Sequence, residues 1–414
     1  MIRLIHTADW HLGQNFFGND RTQEHEHFLT WMLAVIREQR PDALLIAGDV
    51  FDNANPPASA ERLFWDFLDR LTSENPRLRV IITSGNHDSA NRLSAPEAIY
   101  RRIGVQVRSS LPKNMKGHTD WESLCIPVSS IDNDTEEVVI VAVPFLRSDD
   151  YDFVESPAVS MRMFYETLLK NVSKRFPHLP VVLMAHYFAV GSKISQTEGN
   201  DYFTVGGQNA VDSSSLTERL TYGALGHIHH AQPVGGKENI WYSGSALPMS
   251  FMERDYHHGV NMVEIDGEAS VKVSRILYEP LRSMMSIPGT GTASCEEVIR
   301  MLGQLPAEDK KDNKDTYPYL EVKVLEKIPD PQMVSAIQQR AAQRKVCLCR
   351  IERVRPQSED MLSNNVVVTA EDIQKLVPAK IARDAYASVY GEEMPDELAR
   401  MIAEVKRECE TEAE

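Results

Sequence analysis

The chain has 414 residues, with 44 Lys and Arg against 60 Asp and Glu, a formal net charge of −16. Its 42% hydrophobic and 25% charged content is ordinary for a globular protein, which excludes wholesale disorder, and the length suits two or three domains. No apolar run approaches the roughly 18–20 residues of a membrane span, and the N-terminus enters a strand pattern without an apolar leader core. We therefore expect a cytoplasmic chain with no membrane contact. The five cysteines offer no second pair beside Cys347 and Cys349, so they read as buried free thiols of a reducing compartment. The acidic balance argues against a surface that coats nucleic acid; any DNA contact needs a local basic patch or bound cations.

Residues 1 to about 265 alternate short β-rich runs with amphipathic helical stretches. Ile2 to Thr7, Ala43 to Ala47, Arg79 to Thr83, Val138 to Val143, Val181 to Ala185 and Gly223 to Leu225 read as buried strands. Thr22 to Glu38 sets Phe28, Trp31, Met32, Val35 and Ile36 on one helical face, with His25 and His27 on the polar side, expected in solvent. Ala58 to Leu71 and Met161 to Phe176 are two further helices. Strand and helix in alternation predict an α/β layered domain, whose reactive residues gather just beyond the strand ends. After Arg282 a small α+β unit follows, with helices over Glu296 to Leu305 and Pro331 to Ala342 and strands over Tyr319 to Leu325 and Val346 to Val354. Beyond it come a linker and a helical tail. Its first helix aligns Ile381, Ala385 and Val389, and its second carries a stripe of Leu398, Met401, Ile402 and Val405.

Five polar clusters stand at or just after strand ends. They are Asp9-Trp10-His11, Gly48-Asp49-Val50-Phe51-Asp52, Gly85-Asn86-His87-Asp88, Ala185-His186 and Gly226-His227-Ile228-His229. Each is weak alone, since a single histidine or Gly-Asp is usually a surface or turn residue. Together they supply carboxylate, imidazole and amide oxygen without thiolate, a donor set that suits divalent ions of intermediate hardness such as manganese. A carboxylate shared by two ions places them about 3.5–4 Å apart, where they activate water against a phosphate ester. The glycines before Asp49, Asn86 and His227 let the chain turn sharply inward.

These ordered clusters resemble the calcineurin-like metallophosphoesterase superfamily over roughly the first 230 residues. The wording of His6 to Gly13, Gly48 to Asp52, Gly85 to Ser89 and Gly226 to His229 is similar to the SbcD nuclease subunits of bacterial SbcC–SbcD complexes, as is Tyr242 to Phe251. The resemblance implies a layered metallophosphoesterase β-sandwich flanked by helices, with a small α+β capping domain and a helical C-terminal tail. The corresponding boundaries are 1–281 for the nuclease domain, 282–355 for the capping domain, 356–368 for the linker and 369–414 for the partner-binding tail. It also implies two divalent ions, manganese by preference. One is held by Asp9, His11, Asp49 and His229, and the other by Asp49, Asn86, His186 and His227, with Asp49 bridging. His87 matches the histidine that assists the leaving oxygen, and Asp52 and Asp88 stand where they orient a ligand or His87. Departures are small: Ala8, Ala185 and Ala246 replace residues common in the family, and none removes a ligand.

The function so implied is a manganese-dependent DNA nuclease. It would act as an exonuclease on duplex ends and an endonuclease on single strands or hairpins, in DNA repair. Its partner would be an SbcC-type coiled-coil ATPase, in a heterotetramer built on a nuclease homodimer. A phosphatase or cyclic-nucleotide phosphodiesterase would fit the clusters equally well, but not the branch wording or the C-terminal units. A non-catalytic scaffold would have lost ligands, whereas all seven positions are filled.

Overall fold

Two six-stranded sheets lie face to face, each with parallel strands at its centre and antiparallel strands toward its edges. The computed structural model describes residues 1–133, 136–190, 192, 220–309, 313–326 and 330–355, with positions 395 and 398. In chain order come β1 (Ile2–Thr7), a small hairpin of β2 (Asn15–Phe16) and β3 (Asn19–Asp20), α1 (Thr22–Gln39), β4 (Ala43–Ala47) and α2 (Ala58–Glu74). Next are β5 (Arg79–Thr83), α3 (Ala90–Ser94), α4 (Glu97–Arg102), β6 (Val105–Arg108), β7 (Cys125–Ser129), β8 (Glu137–Ala142) and α5 (Pro157–Arg175). Then follow β9 (Val181–His186), β10 (Tyr222–Gly226), β11 (Gln232–Pro233), β12 (Ile240–Tyr242), β13 (Gly259–Ile265) and β14 (Val271–Leu277). The first sheet runs β14-β13-β1-β4-β5-β6 and the second β11-β12-β10-β9-β8-β7.

Alternation along the central strands decides what each face meets. In β1 and β4, Leu4, Ala43, Leu45 and Ala47 point between the sheets. They meet Ile140, Val182, Met184 and Ala224 of the second sheet. The alternate residues Ile5, Leu44 and Ile46 point outward to Phe28, Met32 and Ile36 of α1 and Phe64, Phe67 and Leu71 of α2. On the other side Val139, Val141 and Leu183 meet Phe164, Leu168 and Val172 of α5. Strands buried on both faces need near-continuous apolar runs, and the sequence supplies them. The result is four layers, helix–sheet–sheet–helix, as expected for the layered sandwich.

A third, all-parallel sheet joins β15 (Met284–Ile287), β16 (Tyr319–Leu325) and β17 (Cys347–Val354) in that order. Helices α6 (Cys295–Gln304) and α7 (Met333–Ala341) cover one side, with Val298, Leu302, Val322, Val324 and Ile337 at its own core. Ser294 opens α6 with a capping box to Glu297. Met1–Val354 forms one unit. The linker and tail expected over 356–414 lie outside the described residues, apart from Pro395 and Leu398, both exposed. Among the described residues no helix is long and apolar enough to cross a membrane.

Two expectations are corrected. His25 is buried rather than solvated: it lies three residues before Phe28 and four before Leu29, on the helix face that packs against the sheet. Cys125, Cys295, Cys347 and Cys349 are free but only half-buried. Cys347 and Cys349 face Asn19 of the hairpin, at 3.2 and 3.8 Å.

Candidate metal centre

Five strands deliver the centre from their carboxyl ends. Asp9 and His11 follow β1, Asp49 follows β4, Asn86 and His87 follow β5, His186 ends β9, and His227 and His229 follow β10. Because β1, β4 and β5 belong to one sheet and β9 and β10 to the other, the site straddles the top of the sandwich.

The turns that carry these residues are strained. Asp9, His11, Asp49 and His227 have φ of +53°, +46°, +49° and +101°, a region that side-chain-bearing residues rarely adopt. Such conformations cost about 1–3 kcal/mol each and persist only where neighbouring contacts enforce them. Here the loops lock one another. Asp9 N–H donates to Gly48 O at 3.1 Å, Trp10 N–H and His11 N–H both donate to Asp49 O, and His227 N–H donates to the Asp9 carboxylate at 3.0 Å. Trp10 drives its ring among Phe28, Phe64 and Phe67 and gives its indole N–H to Thr7. Gly85 is forced by contact rather than by φ, since a Cβ there would overlap Asp49.

All seven expected ligands converge. Donor atoms of Asp9, His11 and His229 lie within 4.8 Å of one another, as do those of Asp9, Asp49 and His186. Asp49 Oδ2 is 3.2 Å from His186 Nε2 and 3.8 Å from His11 Nε2. Asn86 Oδ1 is 3.1 Å from His186 Nε2 and 3.0 Å from His227 Nδ1. An octahedral ion with bonds of ~2.1 Å sets adjacent donors about 3 Å apart, so these spacings fit a shared ion. His11 Nε2 adds an independent sign, being buried without a hydrogen-bond partner, a group that a cation would satisfy. Both Asp9 and Asp49 stand between the two groups of donors.

Electrostatics follow the same pattern. Burial would push the Asp49 carboxyl up, but His186 beside it holds it well below the usual range. Burial opposes protonation of His186 too, yet the Asp49 carboxylate raises its pKa to about 9. His229, only half-buried at its surface, is raised to about 9 by Glu253 against the cost of desolvation. His227 is lowered to about 3 by burial and by the neighbouring His186. Burial raises Asp9. A centre whose carboxylates draw protons onto adjacent rings is one that attracts positive charge.

The remaining expected residues surround this core. Asp88 is fully desolvated, and its pKa is raised to about 6 by burial and by Asp49. Its carboxylate accepts the N–H groups of Val50, Phe51 and Gly85, tying the Asp49 turn to the Asn86 turn. Asp52 Oδ1 stands 3.4 Å from His11 Nδ1. His87 is half-buried, with its backbone N–H on Asp49 Oδ1 and its Nδ1–H on Asp52 O at 2.7 Å. That leaves Nε2 outside this bond, in a ring whose centre lies 4.8 Å from that of His11. His230 stacks on Tyr256 instead of entering the cluster.

Glu253 was not among the expected residues. It is buried and holds His229 Nδ1 at 3.2 Å. Its only signal in the sequence is its place two residues after the Tyr242 to Phe251 stretch.

Comparison with known proteins agrees with the geometry. The family described as calcineurin-like phosphoesterase matches residues 2–231, and the type 5 capsule protein repressor C-terminal domain matches residues 280–390. The SbcD component of the SbcCD nuclease from Rhodobacter capsulatus is 33% identical over 77% of this chain and 80% of its own length. The proteins of the same name from Bacillus subtilis and Escherichia coli K12 are each 31% identical. They align over 64% and 61% of this chain, and over 66% and 62% of their own lengths. The chain belongs to the calcineurin-like phosphoesterase family, in its SbcD nuclease-subunit branch.

Proposed function

We propose that this chain is the nuclease subunit of a two-component, ATP-dependent DNA repair assembly, cutting phosphodiesters with two manganese ions. The observation that carries the reading is the convergence of seven oxygen and nitrogen donors from five strand ends. Asp9, His11, Asp49 and His229 would hold one ion, and Asp49, Asn86, His186 and His227 the other. When bound, such a pair supplies a nucleophilic water at neutral pH and neutralises phosphate charge.

The chain's own groups do the rest. The paired turns, locked by Asp88 and by the Asp9–His227 bond, hold the donors in place before substrate arrives. His87, fixed at Nδ1 by Asp52 O, presents Nε2 to a departing oxygen and exchanges a proton there. The acidic total is no obstacle, because bound cations and a partner supply the positive surface that a phosphate backbone needs.

The partner is a coiled-coil ATPase of the SbcC type, and the assembly is a cytoplasmic heterotetramer around a nuclease homodimer. We assign catalysis to residues 1–281, capping to 282–355, linkage to 356–368 and ATPase docking to the apolar stripe of 369–414.

One experiment separates these statements. The purified chain is given linear duplex, hairpin DNA and a small phosphodiester with manganese, with and without the ATPase. Cleavage of duplex ends and hairpins, stimulated by ATP only when the partner is present, is expected. Turnover of the small diester alone would favour a phosphodiesterase. A chain ending at Arg355 keeps manganese-dependent cleavage and loses co-purification with the ATPase; undiminished binding would remove the tail as the dock.

A further inference from the structure

Behind His229 sits a carboxylate whose placement is over-determined. Glu253 ends a short 3₁₀ turn, Phe251–Glu253, and is 3% exposed. One of its oxygens accepts the Met249 N–H at 2.8 Å, and the other faces His229 Nδ1 at 3.2 Å and Ser250 Oγ at 3.5 Å. On one side of the turn Phe251 packs on Phe16 and Phe17 of the β2–β3 hairpin. On the other, Arg254 reaches into the third sheet, donating to Ser286 Oγ at 2.7 Å and Gly289 O at 3.0 Å. Burying a carboxylate is costly unless its partners are fixed and well aimed. This one is held from both flanks and aimed at one imidazole nitrogen.

From this geometry we propose that Glu253 is the positioning residue of the Asp9–His11–His229 side, fixing the His229 ring so that Nε2 faces the ion. The inference rests on the reading that His229 holds an ion. A histidine that gives its Nδ1–H to a carboxylate is locked in tautomer and orientation and is a stronger donor at Nε2, typically by 10–100-fold in ion affinity. Because Arg254 ties the same turn to β15 and its following loop, the third sheet takes part in holding that ring.

The test is manganese binding to the full chain, measured by calorimetry. It compares the wild type, Glu253→Gln, His229→Ala and the double variant, with Val172→Ala as a control that loosens the α5 core away from the Glu253 turn. Glu253→Gln should weaken one ion about 10–100-fold and leave the other unchanged. It should add nothing in the His229→Ala background, because its effect runs through that ring. Val172→Ala should lower the melting temperature and keep both affinities. Wild-type ion binding in Glu253→Gln overturns the proposal alone, as does an equal loss in both backgrounds or a matching loss in Val172→Ala. Wild-type ion binding in His229→Ala overturns the reading of the centre and the proposal with it. Should Glu253→Gln not fold, Glu253→Asp carries the same test, since its shorter arm cannot span Met249 N–H and His229 together.

Discussion

The two sides of the metal centre are held by different means. On the His186 side the supporting groups belong mostly to the backbone and to the ligands themselves: His186 Nδ1 gives its proton to Ala47 O at 2.8 Å, and His227 Nδ1 lies against Asn86 Oδ1. On the His229 side the supports are ionisable side chains, with Asp52 behind His11 and Glu253 behind His229. A backbone carbonyl is set by the sheet and cannot be mutated away, whereas a carboxylate can be lost, moved or protonated. One side is therefore built into the fold, and the other depends on neighbouring loops, including one anchored in the third sheet. Asp9 and Asp49 stand between them.

The largest effect should come from removing what the two sides share. Asp49→Ala is expected to abolish cleavage of every substrate, because Asp49 Oδ2 faces both His186 and His11. Calorimetry should find fewer manganese ions per chain. Full occupancy with normal turnover would take Asp49 out of the centre.

His87 should behave in the opposite way. It contacts the Asp49 carboxylate only through its backbone N–H, which His87→Ala preserves. Turnover should fall by about 10²–10⁴, the usual worth of general acid–base help, while both ions bind as before. Loss of an ion in this variant would make the ring a ligand.

Asp88→Asn addresses the fold-built side. Its carboxylate gathers three backbone N–H groups, and an amide can accept at only one of its two ends. Stability should drop by about 1–3 kcal/mol, the cost of an unsatisfied buried group. Ion affinity should fall by about 10–100-fold as the Asp49 turn loosens. Unchanged affinity with lowered stability would restrict Asp88 to turn capping.

Much of this centre was legible in the sequence for a simple reason. Each ligand ends an apolar strand or follows one by no more than four residues, so the polar cluster marks both the strand end and the site. The glycines at 48, 85 and 226 carried a second signal, confirmed by the overlap a Cβ would create with His186, Asp49 and Ala47 O respectively. What could not be read was anything set by distant pairing. β13 lies beside β1 although some 250 residues separate them, and no local pattern announces it. Glu253 is a lone acid in a turn without periodicity, recognisable only once that turn is folded against His229. His25 was misread for another cause: a polar residue on an apolar helical face was assigned by its type and not by its spacing from Phe28 and Leu29.

The smallest predicted effect concerns protons, and it compares the two sides directly. Without ions the rings of His186 and His229 hold their protons up to about pH 9, the first through Asp49 against the penalty of burial, the second through Glu253. An ion takes only the neutral ring, so below that pH each ion must expel a proton as it binds. His227, lowered to about 3, is already neutral and releases none. The sign follows: the protonated state competes with the ion, affinity strengthens as pH rises toward 9, and it weakens by about tenfold per unit below it for each proton expelled. Calorimetry at pH 7.5 in two buffers of different ionisation enthalpy counts these protons, and about one per ion is expected. Glu253→Gln should reduce the count on the His229 side alone, because the charge that keeps that ring protonated is gone while the Asp49–His186 pair is untouched. A proton count that falls equally for both ions would mean that the two sides titrate as one unit and that the division between them does not extend to their charge.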